Sequence, residues 1–241
     1  MIRKAEEIGL RVHNVTSDMS GANQGLWSSF NIKVERIKDK DGKTVQTIVH
    51  NSIVHPSDPS RKLYFTPDVP HALKNFKQSL LNNEIIKLDS LTKRYYNLPS
   101  DTAHASHLHD LIELDETNEL KLAPKLHKRF VTDSHFQKMR VNNAVHVLNP
   151  QVATAIEYIS NENPKDERLT TAWLIDFIHR WFETMTSRNI QYALSLRDRE
   201  KYNETRQFLK QAQYIISSMK IGKKAYGNLF KLQLCFQSKQ F

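Results

Sequence analysis

The pattern of apolar positions changes near residue 68. Before it, apolar residues alternate or cluster briefly; after it, they recur at helical spacing. Residues 3–9 read as a helix tail whose left-handed cap is Gly9. Leu10, Val12, Val15 and Thr16 predict a strand, closed by Ser17-Asp18. Residues 21–30 predict a short helix with Leu26, Trp27 and Phe30 on one face. Ile32, Val34 and Ile37, answered by Val45, Thr47 and Val49, predict a hairpin turning at 38–43, where Asp41-Gly42 accepts positive φ. Residues 55–61 carry two prolines and read as a loop, and Leu63-Tyr64-Phe65 as a short strand.

From Asp68 the spacing of Val69, Leu73, Phe76 and Leu80 predicts a helix that tolerates Pro70 in its first turn. Asp101 is placed to cap a helix carrying Leu108, Leu111 and Ile112. Phe136, Met139, Val145 and Leu148 mark another helix over 134–148. Pro150 starts one that runs to Ile159 and ends at 161–164. Thr170–Arg188, with Trp173, Phe177, Trp181 and Phe182, is strongly apolar, and 198–219 carries Phe208, Ile215 and Ile216 on one face. The expected fold class is α+β and mostly helical: a short α/β piece followed by a large helical remainder. No internal repeat or low-complexity tract is present.

Composition narrows the function classes. The 241 residues are 39% hydrophobic and 25% charged, which suits a folded chain rather than a disordered one. A single cysteine, Cys235, excludes an intrachain disulfide and a Cys-based zinc site, and suits a reducing compartment. Apolar runs fall well short of the roughly 20 residues that span a bilayer, so no membrane partner is expected. The net charge of +9 favours an anionic partner, nucleic acid first. Only six glycines are present, and neither G-x-x-x-x-G-K-[ST] nor G-x-G-x-x-G occurs. The two common phosphate-cradling loops are therefore absent.

Four blocks carry a family resemblance. The first is residues 9–12 with 15–27, Gly-Leu-Arg-Val and Val-Thr-Ser-Asp-Met-Ser-Gly-Ala-Asn-Gln-Gly-Leu-Trp. The second, residues 64–75, contains Asp68-Val69-Pro70-His71-Ala72-Leu73-Lys74. The third covers 136–144 with Val152-Ala153, and the fourth 177–188. Together and in this order they resemble P-element-type transposases, including the THAP-domain transposase-derived proteins. The resemblance implies a partial RNase H-like fold interrupted by a large helical insertion domain that binds GTP. On that reading, residues 1–50 are a partial RNase H-like segment, 51–168 the insertion, and 169–241 the return helix and a C-terminal helical segment.

The resemblance also implies chemistry. Such transposases cut and join DNA with two divalent metals, here Mg²⁺, held by carboxylates. Asp18 matches the second catalytic aspartate and Glu183 the acid after the insertion, so both become expected metal ligands. Asp68 and Lys74 match positions that contact the GTP-bound metal and the phosphates. Each has a plainer alternative. Asp18 and Asp68 can be turn or cap residues, Lys74 a solvated position, and Glu183 a salt-bridge partner of Arg180 three residues earlier. Two features weaken catalysis by this chain: the family's first aspartate belongs to an earlier strand, and a cation at Arg180 opposes a metal at Glu183. The expectation is a transposase-derived protein inactive alone, with DNA and a second copy as partners and a nuclear location, or a cytoplasmic one for a decayed fragment. The alternative is a non-catalytic DNA- or protein-binding module.

The remaining candidates read as surface or core. His104, His107 and His109 with Asp110 form a histidine-rich patch without a fixed ligand spacing. Gly222-Lys223-Lys224 lacks the Ser or Thr of a P-loop. Lys125, Lys128 and Arg129, and Ser60-Arg61-Lys62, suit a solvated surface or a phosphate backbone. Trp27, Trp173 and Trp181 sit at apolar helical positions and are expected in the core.

Overall fold

A computed structural model describes residues 1–18, 20–40, 44–132, 140–160, 163–187 and 194–222. The described chain forms two compact units, the sequence dividing between Asp68 and Val69.

The first unit contains α1 (Ile2–Glu7), β1 (Asn14–Ser17), α2 (Gly21–Ser29), β2 (Lys33–Lys38), β3 (Thr44–His50), β4 (Ser52–His55) and β5 (Asp58–Pro67). Helix α1 stops because Gly9 takes φ +87°. The Gly9 amide then donates to the Glu6 carbonyl and the Leu10 amide to that of Ala5, the paired bonds of a Schellman cap. Strand β5 is the centre of a three-stranded sheet, parallel to β1 and antiparallel to β4. Its prolines, Pro59 and Pro67, lie near its two ends, so its interior amides serve both neighbours. The Tyr64 amide donates to His13 and the Phe65 amide to Asn51. Strands β2 and β3 form the expected antiparallel hairpin, whose turn residues 41–43 lie outside the described set.

The core of this unit is small: Trp27, Ile32, Val49, Leu63 and Phe65. Trp27 meets Phe65 edge-on at 5.9 Å. Leu26 and Phe30, expected on the same face, remain 50% and 43% exposed. An ionic network supplements the core. Glu6 accepts from the Val12 amide at 2.7 Å and from Arg61 at 2.6 Å, and Arg61 Nε reaches Asp58 at 2.7 Å. The Ser57 amide donates to His55 Nδ1, so the neutral ring carries its hydrogen on Nε2, 3.4 Å from Glu6. The Val12 bond first, then Arg61, holds the Glu6 carboxyl below its usual range. Ser60 and Arg61 bring Asp58 down to about 2. Residues 55–61 are thus not the loop expected from their prolines. They form the tight β4–β5 connection, with a register irregularity at Val54/His55, and Asp58 and Arg61 tie it to α1.

The second unit contains α3 (Val69–Asn83), β6 (Ile85–Lys87), α4 (Ser90–Tyr95), β7 (Thr102–His104), α5 (Ser106–Thr117), α6 (Lys128–Val131), α7 (Val141–Val147), α8 (Pro150–Ile159), α9 (Arg168–Thr186), α10 (Arg199–Ser218) and β8 (Lys220–Ile221). Helix α8 has the bounds its sequence predicts, with Asn149 Oδ1 capping the Val152 amide and Pro150 at the first position. Helix α9 is the spine: Ala172, Leu174, Ile175, Phe177, Ile178 and Trp181 are buried, and it packs on α8 and α3. Buried Thr170 and Thr171 pin its start. Thr170 exchanges hydrogen bonds with Ser100, and Thr171 accepts from the His104 amide. Buried Asp115 accepts from the Leu122 and Ala123 amides and fixes the loop after α5.

Asp101 does not cap α5. It pairs with Lys87 at 3.1 Å and accepts from Thr102, because β7 lies between it and that helix. The short sheet β7–β6–β8 was not anticipated, and positions 133–139 of the expected 134–148 helix lie outside the described residues.

Candidate functional site

Strand β1 runs parallel to β5 with Ser17 opposite Pro67, and the Asp68 amide donates to the Ser17 carbonyl at 2.9 Å. Asp18 and Asp68 therefore stand at the carboxyl ends of two adjacent parallel strands, roughly 5 Å apart by strand spacing. That end of a parallel pair is where α/β sheets present chemistry. The sequence assigned these acids to different tasks; the first unit brings their backbones side by side.

Asp18 is half-buried, and its Oδ1 accepts from the Ser20 amide at 3.1 Å and from Asn23 Nδ2 at 2.6 Å. Those bonds orient the carboxylate and organise the approach to α2. The turn role is thus present. Two carboxylates are hard oxygen donors of the kind Mg²⁺ takes, the ion usually filling its remaining positions with water and phosphate oxygens. Among the described residues no group of three His, Cys, Asp or Glu is arranged to hold a metal.

Lys74 lies on α3 in the second unit. Its half-buried face comprises His71, Lys74, Asn75 and Gln78, at spacings of three and four residues. The opposite face buries Ala72, Leu73, Phe76 and Leu80. The first turn of a helix leaves amides unpaired along its axis and carries positive partial charge, which favours an anion there. The sequence reading passed over Lys77. It is fully buried and donates to the Phe130 carbonyl at 3.2 Å, so its ammonium fixes α6 against α3. A lysine among apolar helix neighbours gave no signal of that carbonyl.

Glu183 is exposed on α9 in the second unit, while Asp18 belongs to the first. Among the described residues no ion pair joins Glu183 to Arg180. The guanidinium instead stacks on Phe208, 4.3 Å from the ring centroid. Phe208 continues a run of rings, Tyr95, Tyr96, Trp173 and Phe177, with neighbouring centroids 4.7–5.6 Å apart. Trp27 and Trp181 are core residues, as expected, and Trp173 is half-buried in that run. In the histidine patch, His107 Nδ1 lies 2.8 Å from Thr171 Oγ1, and the His104 and His107 rings are 5.3 Å apart. Burial first, then His104, lowers the His107 pKa. His107 thus ties α5 to α9.

Comparison with known proteins decides the family. Residues 71–196, just over half of the chain, match the family described as TNP-like, GTP-binding insertion domain. The chain belongs to this family. Its fold also matches a chain in a Drosophila P element transposase strand transfer complex, with a TM-score of 0.75 at 16% identity. The match covers 98% of this chain and 49% of the other, so this chain spans about half that transposase's length. No curated protein matches. The P-element-type transposase resemblance of the four blocks thus agrees with both the family and the fold. The observed class is mixed α/β, dominated by helix, with small sheets. Among the described residues no helix is long and apolar enough to cross a membrane.

Proposed function

We propose that this chain binds GTP with Mg²⁺ and is the nucleotide-binding portion of a transposase-derived protein. The observation that carries the reading is the family match over residues 71–196. Lys74 is the cation for the phosphates and Asp68 a carboxylate for the metal, as the family resemblance implies. Asp68 immediately precedes α3, whose first-turn amides add donors suited to phosphate oxygens. When bound, Mg²⁺ would neutralise phosphate charge and fix the nucleotide's pose.

GTP in this reading organises assembly rather than fuelling work, so no hydrolysis is implied. Asp18 and Glu183 are the proposed remains of a two-metal DNA-joining centre. In this reading the chain does not cut or join DNA alone; Arg180, three residues before Glu183, holds its guanidinium on Phe208. DNA remains the proposed partner of the longer assembly, supported by the net charge of +9. Calorimetry of the full chain with GTP and Mg²⁺ tests the reading. Saturable binding is expected, weakened about tenfold or more by Lys74→Ala, the loss of one charge-assisted contact. Absence of binding by the folded wild-type chain overturns it.

A further inference from the structure

Helices α4 and α10 enclose an open pocket of about 510 Å³ within the second unit. Leu91, Tyr95, Tyr214 and Ile215 make its walls almost wholly carbon, and Arg94 and Lys210 stand among them as cations. Tyr95 is 70% exposed. The nearby carboxylate, Asp89, is already committed: it caps the Leu91 and Thr92 amides and accepts from the Tyr214 hydroxyl at 2.7 Å. Thr92 lines the pocket, is itself buried, and its hydroxyl has no partner. Exposed tyrosine with arginine is the composition of a protein-binding hot spot. An aliphatic side chain flanked by carboxylates fits walls and cations alike.

The same unit carries that complement. Asp110, Glu113, Leu114 and Thr117 form the exposed face of α5, followed by Glu119 and Leu120, which is 87% exposed. We propose that the α4–α10 pocket docks the acidic, leucine-bearing end of α5 from a second copy of this chain. Leu114 and Leu120 supply the apolar anchors, and Glu113 faces the cations. Because the two surfaces differ, the contact is head-to-tail: each copy offers one pocket and one ridge. The proposal is independent of the nucleotide reading, whose residues it does not use.

Sedimentation velocity of the full chain over a concentration series tests it, with circular dichroism confirming that each variant is folded. The wild type is expected to associate as concentration rises. Lys210→Glu and Glu113→Lys should each weaken association at least fivefold, and the double variant K210E/E113K should recover to within about twofold, as a direct charge pair requires. A chain monomeric at every concentration overturns the proposal. So does association that neither substitution weakens, as pairing through a sheet edge would give. Binding of oligothymidylate to a monomeric chain, abolished by Tyr95→Ala, would assign the pocket to nucleic acid and also overturn it.

Discussion

The two units solve the same problem with different means. The second buries a continuous apolar spine, α9, against α3 and α8. The first has one small cluster around Trp27 and Phe65, and fastens α1 to the β4–β5 hairpin with Glu6, Arg61 and Asp58. Small cores yield little hydrophobic stabilisation, so directional contacts decide more of the outcome. The lesson concerns function too. The carboxylates Asp18 and Asp68 stand on the lightly built unit, whereas the family match begins in the heavily built one.

Deleting one tryptophan from each unit breaks this comparison most strongly. Trp181→Ala and Trp27→Ala each remove a buried indole, at a cost of about 3–5 kcal/mol. Hydrogen exchange should show Trp27→Ala exposing amides within residues 1–68 while α8 and α9 stay protected. Trp181→Ala should open the second unit. Equal loss of protection in both units from either change would erase the distinction. A smaller effect is expected from Asp115→Ala, which orphans the Leu122 and Ala123 amides, at about 2–3 kcal/mol by chemical denaturation. A change below roughly 0.5 kcal/mol would show those amides are satisfied otherwise.

How much of this was legible follows from how many residues encode each feature. Helix α8 was read to its ends because Asn149, Pro150 and a full apolar face agree. The Gly9 cap was legible because a left-handed residue there favours glycine. Strands β6, β7 and β8 were not, since two or three residues cannot display an alternation. The β4–β5 connection was missed because Pro56 and Pro59 signal a loop, whereas the tie from Arg61 to Glu6 spans 55 positions. At the candidate site, the resemblance of their blocks to the transposase family singles out Asp18 and Asp68 separately; local context alone reads them as turn or cap residues. Their adjacency needed the β1–β5 register, which no local pattern encodes. Arg180 was expected to meet Glu183 by helical spacing, but the Phe208 ring on α10 took it.

The subtlest contrast is in pH dependence. Glu6 and Asp58 have folded pKa values below their ordinary ones of 4.5 and 3.8. Their contribution is present above those values and lost as pH falls, for Asp58 toward about 2. Acid should therefore loosen the first unit through these groups. Tyr214 in the second unit is pushed up to about 12, from 10.0, by burial and then by its bond to Asp89. Its contribution is complete below 10.0 and lost as pH rises toward about 12. Arg61→Ala should shrink the acid effect, and Tyr214→Phe should remove the alkaline one, both followed by circular dichroism against pH. Unchanged profiles would show that these groups are not linked to folding.

The central claim, that Asp68 and the start of α3 receive the nucleotide, is tested most directly by hydrogen exchange of the full chain with and without GTP and Mg²⁺. The account predicts slowed exchange in the amides of residues 71–74, reduced in Lys74→Ala at the same GTP concentration, with α10 unchanged. Tight GTP binding that leaves those amides untouched and protects another surface would contradict it.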